Sequence, residues 1–364
     1  MVVCCLEASH GFIGLSRSAL LFTFPGCLIV WRLRVDMKVR IMMKLFVDTT
    51  HESDWARARW LDITGNWQNA GHFELVGGAR EADAVLITLA DCRSSYLEII
   101  ENIARTGAYA EYPEKCFVFD TQDSPIGLYP GLYASLRQYL FSARRHRTGC
   151  YMQSFNEFVR ADGESKTSIR WLFSFQGNLT SAVRGRLFAA NYGRDDVLIE
   201  RTEPFWENTG AEQQIGFKQQ YALNVRQSRF VLCPRGVGVS SYRLFEVMQS
   251  GRVPVILSDH WVPPPWFDWK SCSLRVPERH VASLPEICLE ALPRWESMAH
   301  QAQQQWERWF SPSGMGALVH VSIDDIRRSR RFPEAAYRLG WPVRRSAVAL
   351  RQAAVRTISR LRSR

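Results

Sequence analysis

Several features are missing from this 364-residue chain, and each absence removes a class of function. Its nine cysteines (Cys4, Cys5, Cys27, Cys92, Cys116, Cys150, Cys233, Cys272 and Cys288) form no C-x-x-C pair and have no histidine at zinc-ligand spacing. A structural metal site is therefore disfavoured, and free thiols in a reducing compartment are the simplest account. The Walker pattern G-x-x-x-x-G-K-S/T does not occur, and Gly236-Val-Gly238 lacks the third glycine of the dinucleotide fingerprint because position 241 is Ser. Both common nucleotide motifs are thus absent. The apolar stretch Ala19–Trp31 is broken by Pro25 and Gly26 and falls short of the roughly 20 residues that span a bilayer. Acids are absent from Arg344 to Arg364, which holds seven arginines against a net charge of +10 for the whole chain. Without that tail the body is close to balanced, so no general polyanion-binding surface is required and nucleic acid is not expected as a partner.

With 46 % apolar residues the chain can bury a large core, and its length suits two domains better than one. Residues 1–42 read as a leader outside the fold. Basic residues follow its apolar stretch, which is compatible with translation starting at Met37, Met42 or Met43, with a short anchor, or less well with a signal peptide. From Met43 short apolar runs alternate with amphipathic stretches, as in α/β domains with parallel sheets. Strands are expected at Leu45–Val47, Ala84–Leu89 and Cys116–Phe119, with a helix over Ser94–Ala104. The polar run Asp162–Ser168 reads as a linker, which gives an N-terminal half over 43–168.

A C-terminal half over 169–330 opens at Trp171–Phe175 and contains the clearest strand–loop–helix–strand unit. Phe230–Cys233 is a buried strand, Pro234–Val239 a glycine-containing loop, Ser240–Gln249 a helix and Val253–Leu257 the next strand. Ser240 or Ser241 suits the N-cap, and Gly251 the left-handed position past the helix end. Trp295–Trp309 reads as a long helix. Residues 331–364 form a basic tail whose apolar positions suit an amphipathic helix on an anionic membrane, or a solvated end.

Such a loop offers helix-terminal amides and close backbone approach to an anion, and Arg235 adds a guanidinium suited to phosphate. Arg243 and Glu246, three apart, share a helix face. Spacing alone makes them a surface ion pair; beside an anion-ready loop at the carboxyl ends of strands they suit phosphate and ribose.

The ungapped segment from Phe230 to Asp259, Phe-Val-Leu-Cys-Pro-Arg-Gly-Val-Gly-Val-Ser-Ser-Tyr-Arg-Leu-Phe-Glu-Val-Met-Gln-Ser-Gly-Arg-Val-Pro-Val-Ile-Leu-Ser-Asp, closely resembles the signature of exostosin-family glycosyltransferases, especially bacterial members. Phe173-Ser-Phe-Gln-Gly177 with Arg184, and Trp261-Val-Pro-Pro-Pro with Asp268-Trp269, extend the resemblance. It is strong from about 171 to 310, weaker over 44–170, and absent from leader and tail. It implies a GT-B fold: two Rossmann-like α/β domains face each other across a cleft, donor nucleotide on the C-terminal one and acceptor on the N-terminal one. It also implies metal-independent, inverting transfer from a nucleotide-sugar, in most members a UDP-sugar, with that donor as substrate and no cofactor. Arg184 and Arg235 then correspond to diphosphate contacts, Gly236, Gly238, Ser240 and Ser241 with the loop amides to phosphate ligands, and Glu246 to the ribose-binding acid. Arg243 serves phosphate or the helix. The absence of a D-x-D metal anchor agrees.

An inverting transfer needs a base on loops after N-terminal strands. His51, Asp91, and Asp120 with Asp123 are candidates, and each is equally a turn or helix-start residue. Trp261, Trp266 and Trp269 are candidates for stacking on sugars, or core. The reading is a cytoplasmic enzyme of polysaccharide or glycoconjugate synthesis, peripheral to the inner membrane face, with a glycan or lipid-linked glycan acceptor. A catalytically inactive nucleotide-sugar-binding scaffold stays open as an alternative, and a Rossmann oxidoreductase is disfavoured by Ser241.

Overall fold

The computed structural model describes residues 42–92, 96–105, 107–152, 156–159, 168–202, 211–343 and 346. The leader up to residue 41, most of the Asp162–Ser168 segment and nearly all of the arginine tail lie outside the described residues.

The first sheet is wholly parallel. It contains β1 (Met43–Asp48), β2 (Phe73–Leu75), β3 (Ala84–Leu89), β4 (Cys116–Asp120), β5 (Gly131–Tyr133) and β6 (His146–Thr148), in the order β2-β1-β3-β4-β5-β6. The second, also parallel, contains β7 (Trp171–Gly177), β8 (Val197–Arg201), β9 (Ser228–Pro234), β10 (Val253–Leu257) and β11 (Leu274–Arg275), in the order β11-β10-β9-β7-β8. Each half winds outward on one side and returns on the other, so strand order reverses between β1 and β3 and again between β7 and β9. These are doubly wound, Rossmann-like halves, and the fold is of the GT-B type. Ligands bind such sheets outside the strand carboxyl ends at the reversal.

The helices are α1 (Asp54–Asn69), α2 (Tyr96–Arg105), α3 (Gly107–Glu111), α4 (Ala182–Ala189), α5 (Ala211–Arg226), α6 (Tyr242–Gln249), α7 (Leu284–Ala291), α8 (Trp295–Trp309), α9 (Gly314–Ser329) and α10 (Glu334–Arg338). β3 is buried at all six positions, which explains its unbroken Ala-Val-Leu-Ile-Thr-Leu run, since a central parallel strand is covered on both faces. In α1, Ser53 Oγ accepts from the Ala56 amide at 3.3 Å, a side-chain N-cap. One α1 face buries Trp60 and Trp67, and the Trp60 ring meets Phe119 of β4 edge-on at 5.2 Å.

Helix α6 ends as its sequence requires. Gly251 takes φ +59°, its amide donates to Met248 O (3.1 Å), and the Arg252 amide donates to Val247 O (3.1 Å). This is the Schellman pattern, which satisfies two otherwise orphaned carbonyls.

The expected boundary at 330 is not where the packing changes. Helix α9 packs against α1, β5 and β6 of the first half, with Leu318, Val319, Ile323 and Ile326 fully enclosed. Trp67 Nε1 donates to Pro312 O at 2.9 Å, and a Cβ at Gly316 would stand 2.8 Å from the Trp67 ring. Residues expected in a tail are likewise integral. Glu334 of α10 is fully buried and takes both Nη groups of Arg145, at 2.7 and 2.9 Å, with the Tyr109 hydroxyl at 3.1 Å. Residues 314–338 therefore complete the first half. The sequence reading followed chain order, whereas the apolar face of α9 is matched by a surface some 250 residues upstream.

Candidate functional site

A cleft of about 700 Å³ opens at the carboxyl ends of β7 and β9, where the second sheet reverses its order; small-molecule sites span roughly 300–1,000 Å³. Gly177 ends β7 and Asn178 follows it, Gly236 and Val237 follow β9, and α6 contributes Arg243 and Glu246. Tyr221 of α5 closes one wall, while Asp123 and Tyr151 come from the first half.

Among the described residues three guanidiniums of the second half line the cleft, those of Arg184, Arg201 and Arg243, and the first and last of these lie close together. Arg184 of α4 donates to Asn178 O (3.0 Å), Arg235 O (3.2 Å) and Pro234 O (3.4 Å), which pins it between the loops after β7 and β9. Burial first, and the nearby Arg243 second, pull its pKa down to about 9. Arg243 donates Nη2 to Gln176 O and lies over the Phe175 ring at 4.7 Å and the Tyr221 ring at 5.5 Å, faces that favour a cation. Among the described residues its buried Nε and Nη1 have no acceptor. Two like charges held this close raise the potential of the cleft, and an anion placed there relieves both. Glu246 accepts from Tyr221 Oη at 2.8 Å. Burial lifts its carboxyl above the usual range, opposed by the Tyr221 bond and by Arg243.

Of the residues singled out from sequence, Arg184, Gly236, Ser240, Ser241, Arg243 and Glu246 come together in the cleft wall. Among the described residues the buried Ser240 Oγ has no hydrogen-bond partner. Two others are placed differently. The Arg235 guanidinium turns onto Glu278 (Nε to Oε1 2.7 Å, Nη2 to Oε2 3.3 Å), so a carboxylate already neutralises it, and it does not line the cleft. Gly238 faces the first half: a Cβ there would meet Ser135 Oγ at 2.2 Å and Asp123 O at 2.9 Å. Ser135 Oγ also accepts from the amides of Val239 (2.7 Å) and Ser240 (3.4 Å). Amides expected to grip phosphate thus join the two halves instead, which leaves the guanidiniums to supply positive charge. Ser241 is the N-cap of α6 but makes no side-chain cap bond.

His51, Asp91 and Asp120 do not line the cleft. Asp91 accepts from Ser53 Oγ at 2.6 Å beside the start of α1. Asp120 is fully buried and accepts from Tyr96 Oη (2.7 Å) and the Gln122 amide (2.9 Å), and burial lifts its pKa to about 7. Asp123 lines the cleft. Trp261, Trp266 and Trp269 pack in the core around Trp309 and Phe310. Ser135, Tyr151, Tyr221 and Glu278 gave no sequence signal, because each reaches its place from a remote segment. Among the described residues the six cysteines are unpaired, and no cluster of three or more His, Cys, Asp or Glu side chains is placed to hold a metal ion.

The paired arginines at the reversal point of the second sheet suit this cleft to a ligand that carries phosphate. Residues 137–291 match the Exostosin GT47 domain. The chain is similar to Exostosin-1 of Drosophila melanogaster, 31 % identical over 195 residues that cover 49 % of this chain and 24 % of the relative. To an Exostosin-1 homolog of Caenorhabditis elegans it is 38 % identical over 163 residues, 41 % of this chain and 43 % of the relative. A probable glycosyltransferase of Arabidopsis thaliana is 36 % identical over 135 residues, 36 % of this chain and 26 % of the relative. The matches span less than half the length of these relatives. Among solved structures, Anabaena HepE in complex with UDP and glucose superposes with a TM-score of 0.39 at 10 % identity, covering 78 % of this chain and 99 % of that one. A DNA-modifying β-glucosyltransferase gives 0.41 at 11 % identity, covering 78 % and 100 %.

Proposed function

We propose that this chain transfers a sugar from a nucleoside-diphosphate donor, a UDP-sugar in the first instance, to a hydroxyl of a glycan or glycoconjugate, with inversion and without a metal ion. The pairing of Arg184 with Arg243 in the cleft wall carries this reading. A departing nucleoside diphosphate gains negative charge as its bond to the sugar breaks, and preorganised cations stabilise that charge in the transition state. Glu246, on the same α6 face as Arg243, is suited to accept from ribose hydroxyls. The match to the Exostosin GT47 domain supports a role in building glycans. We extend the proposal to a role in polysaccharide assembly at the cytoplasmic face of a membrane, with the arginines of 344–364 meeting anionic lipid and a lipid-linked glycan as acceptor. Among the described residues no helix is long and apolar enough to cross a membrane.

The test is a donor screen. Purified protein is incubated with UDP-, GDP- and dTDP-sugars, and thermal stabilisation and slow donor hydrolysis are measured. Stabilisation by UDP, weakened at least tenfold in apparent affinity by Glu246→Ala in a folded variant, is the expected result. Unchanged UDP affinity in that variant removes Glu246 from the site, and absence of any nucleotide effect on the parent protein refutes the donor reading.

A further inference from the structure

The proposed transfer needs a group that removes the acceptor proton, and the candidates at His51, Asp91 and Asp120 stand away from the cleft. Among the described residues three carboxylates line it: Asp123, Glu200 and Glu246. Glu246 is held by Tyr221, and Glu200 lies at the end of β8, in the same half as Arg184 and Arg243. Only Asp123 comes from the first half, on the loop that follows β4.

We propose that Asp123 is the catalytic base, the carboxylate that takes the proton of the acceptor hydroxyl while the diphosphate departs on the opposite wall. The assignment rests on the nucleotide-sugar reading of the cleft and adds a named residue to it. Gly238 sets the position. Its missing side chain lets the Asp123 segment press against the loop leading into α6, where a Cβ would stand 2.9 Å from both Asp123 O and Asp123 Oδ1. Tyr151 sets the orientation: its hydroxyl donates to Asp123 Oδ1 at 3.3 Å, and its ring packs on Tyr242 of α6 at 3.9 Å between centroids. Asp123 Oδ2 is left for a substrate proton.

Electrostatics link this carboxylate to the donor. Burial raises the Asp123 carboxyl above its usual range, while the Tyr151 bond and the charge of Arg184 oppose that rise. A diphosphate lying on Arg184 cancels the opposing charge, so donor binding strengthens the base. In the step itself, the acceptor oxygen forms a bond to the anomeric carbon as its proton passes to Asp123. The bond from that carbon to the diphosphate oxygen breaks, and its electron pair leaves with the nucleoside diphosphate, which Arg184 and Arg243 receive. Asp123 afterwards returns the proton to solvent.

The experiment measures UDP binding by calorimetry and donor turnover, with water as acceptor, over UDP-glucose, UDP-galactose, UDP-N-acetylglucosamine and UDP-glucuronic acid. Asp123→Asn is expected to bind UDP within about threefold of the parent and to lose about 10²–10⁴-fold in turnover, the usual contribution of a positioned base. Asp123→Ala tests the same chemistry without relying on an amide in place of the acid: added formate, a small base able to occupy the vacated space, should restore part of its turnover. Turnover of Asp123→Asn within threefold of the parent, or an alanine variant that binds UDP but does not respond to formate, overturns the assignment and leaves the donor site standing. A parent protein that neither binds UDP nor turns over any of the four sugars overturns the donor reading, and the base falls with it.

Discussion

Asp120 ends β4 and Asp123 stands three positions further on, yet their surroundings give them different chemistry. Asp123 reaches the cleft. Asp120 is enclosed by protein and bonded to Tyr96 and Gln122, and burial is the largest influence on its pKa, which rises from 3.8 to about 7. Between those limits the folded state holds a proton that the unfolded chain has released. The stabilisation is therefore complete below about pH 4 and drains away as the pH climbs through 7. Asp120→Asn removes this titration. The melting temperature of the parent should fall relative to that of the variant between pH 4 and pH 7, and parallel curves across that window would refute the buried proton. The arginines show the same dependence on surroundings. Arg184 donates its hydrogen bonds to carbonyls and stays a source of positive charge, whereas Arg235, next to the same loop, is paired with Glu278.

At the scale of elements, the loop between β9 and α6 uses its two glycines for separate purposes. A Cβ at Gly236 would lie 3.5 Å from Arg184 Nη2 and 3.6 Å from Thr180 Oγ1, ordinary contacts, while one at Gly238 would collide with Ser135 and Asp123. Gly238→Ala should cost about 1–3 kcal/mol in urea unfolding, as overpacking does, and Gly236→Ala should change stability by less than about 0.5 kcal/mol. Equal effects would mean that the two halves do not meet closely at Gly238. This loop and its flanking elements were largely legible beforehand. β7, β9, β10 and α6 announce themselves as apolar runs with a glycine at the helix end, and Trp295–Trp309 was found with both bounds correct. β2, β5, β6 and β11 escape the sequence reading because two or three residues are too few to show a period of two, and five-residue β8, an edge strand that is half-buried to exposed throughout, has an apolar run of only three residues before Glu200 and Arg201. Within the site, spacing gathered Arg243 and Glu246 and the family resemblance added Arg184, but neither could reveal that Ser135 occupies the loop amides or that Tyr221 holds Glu246. Those contacts join segments 104 and 25 residues apart, and no local pattern encodes them.

Over the whole molecule, the first half is assembled from two stretches of chain, and the Arg145–Glu334 pair fastens them. The side chains are 5 % and 0 % exposed, and Arg145 also donates to Leu128 O at 2.9 Å and covers the Tyr337 ring at 4.0 Å. Removing one member of such a pair leaves a buried charge without compensation, at a cost of about 3–5 kcal/mol, whereas replacing both with apolar residues of similar volume costs far less. Glu334→Gln should therefore destabilise more than the double variant Arg145→Met/Glu334→Leu in chemical denaturation. A reversed order would show that the geometry of the pair, rather than its charge balance, holds α10 in place.

The same stitching dictates an order of events during synthesis. The ribosome delivers β1 to β6 first, but the helices that roof that sheet, α9 and α10, emerge only after the entire second sheet has been made. The later-born half can close on its own strands while the earlier one waits with an open flank, so a nascent chain paused near residue 313 exposes the apolar surface that a chaperone would recognise.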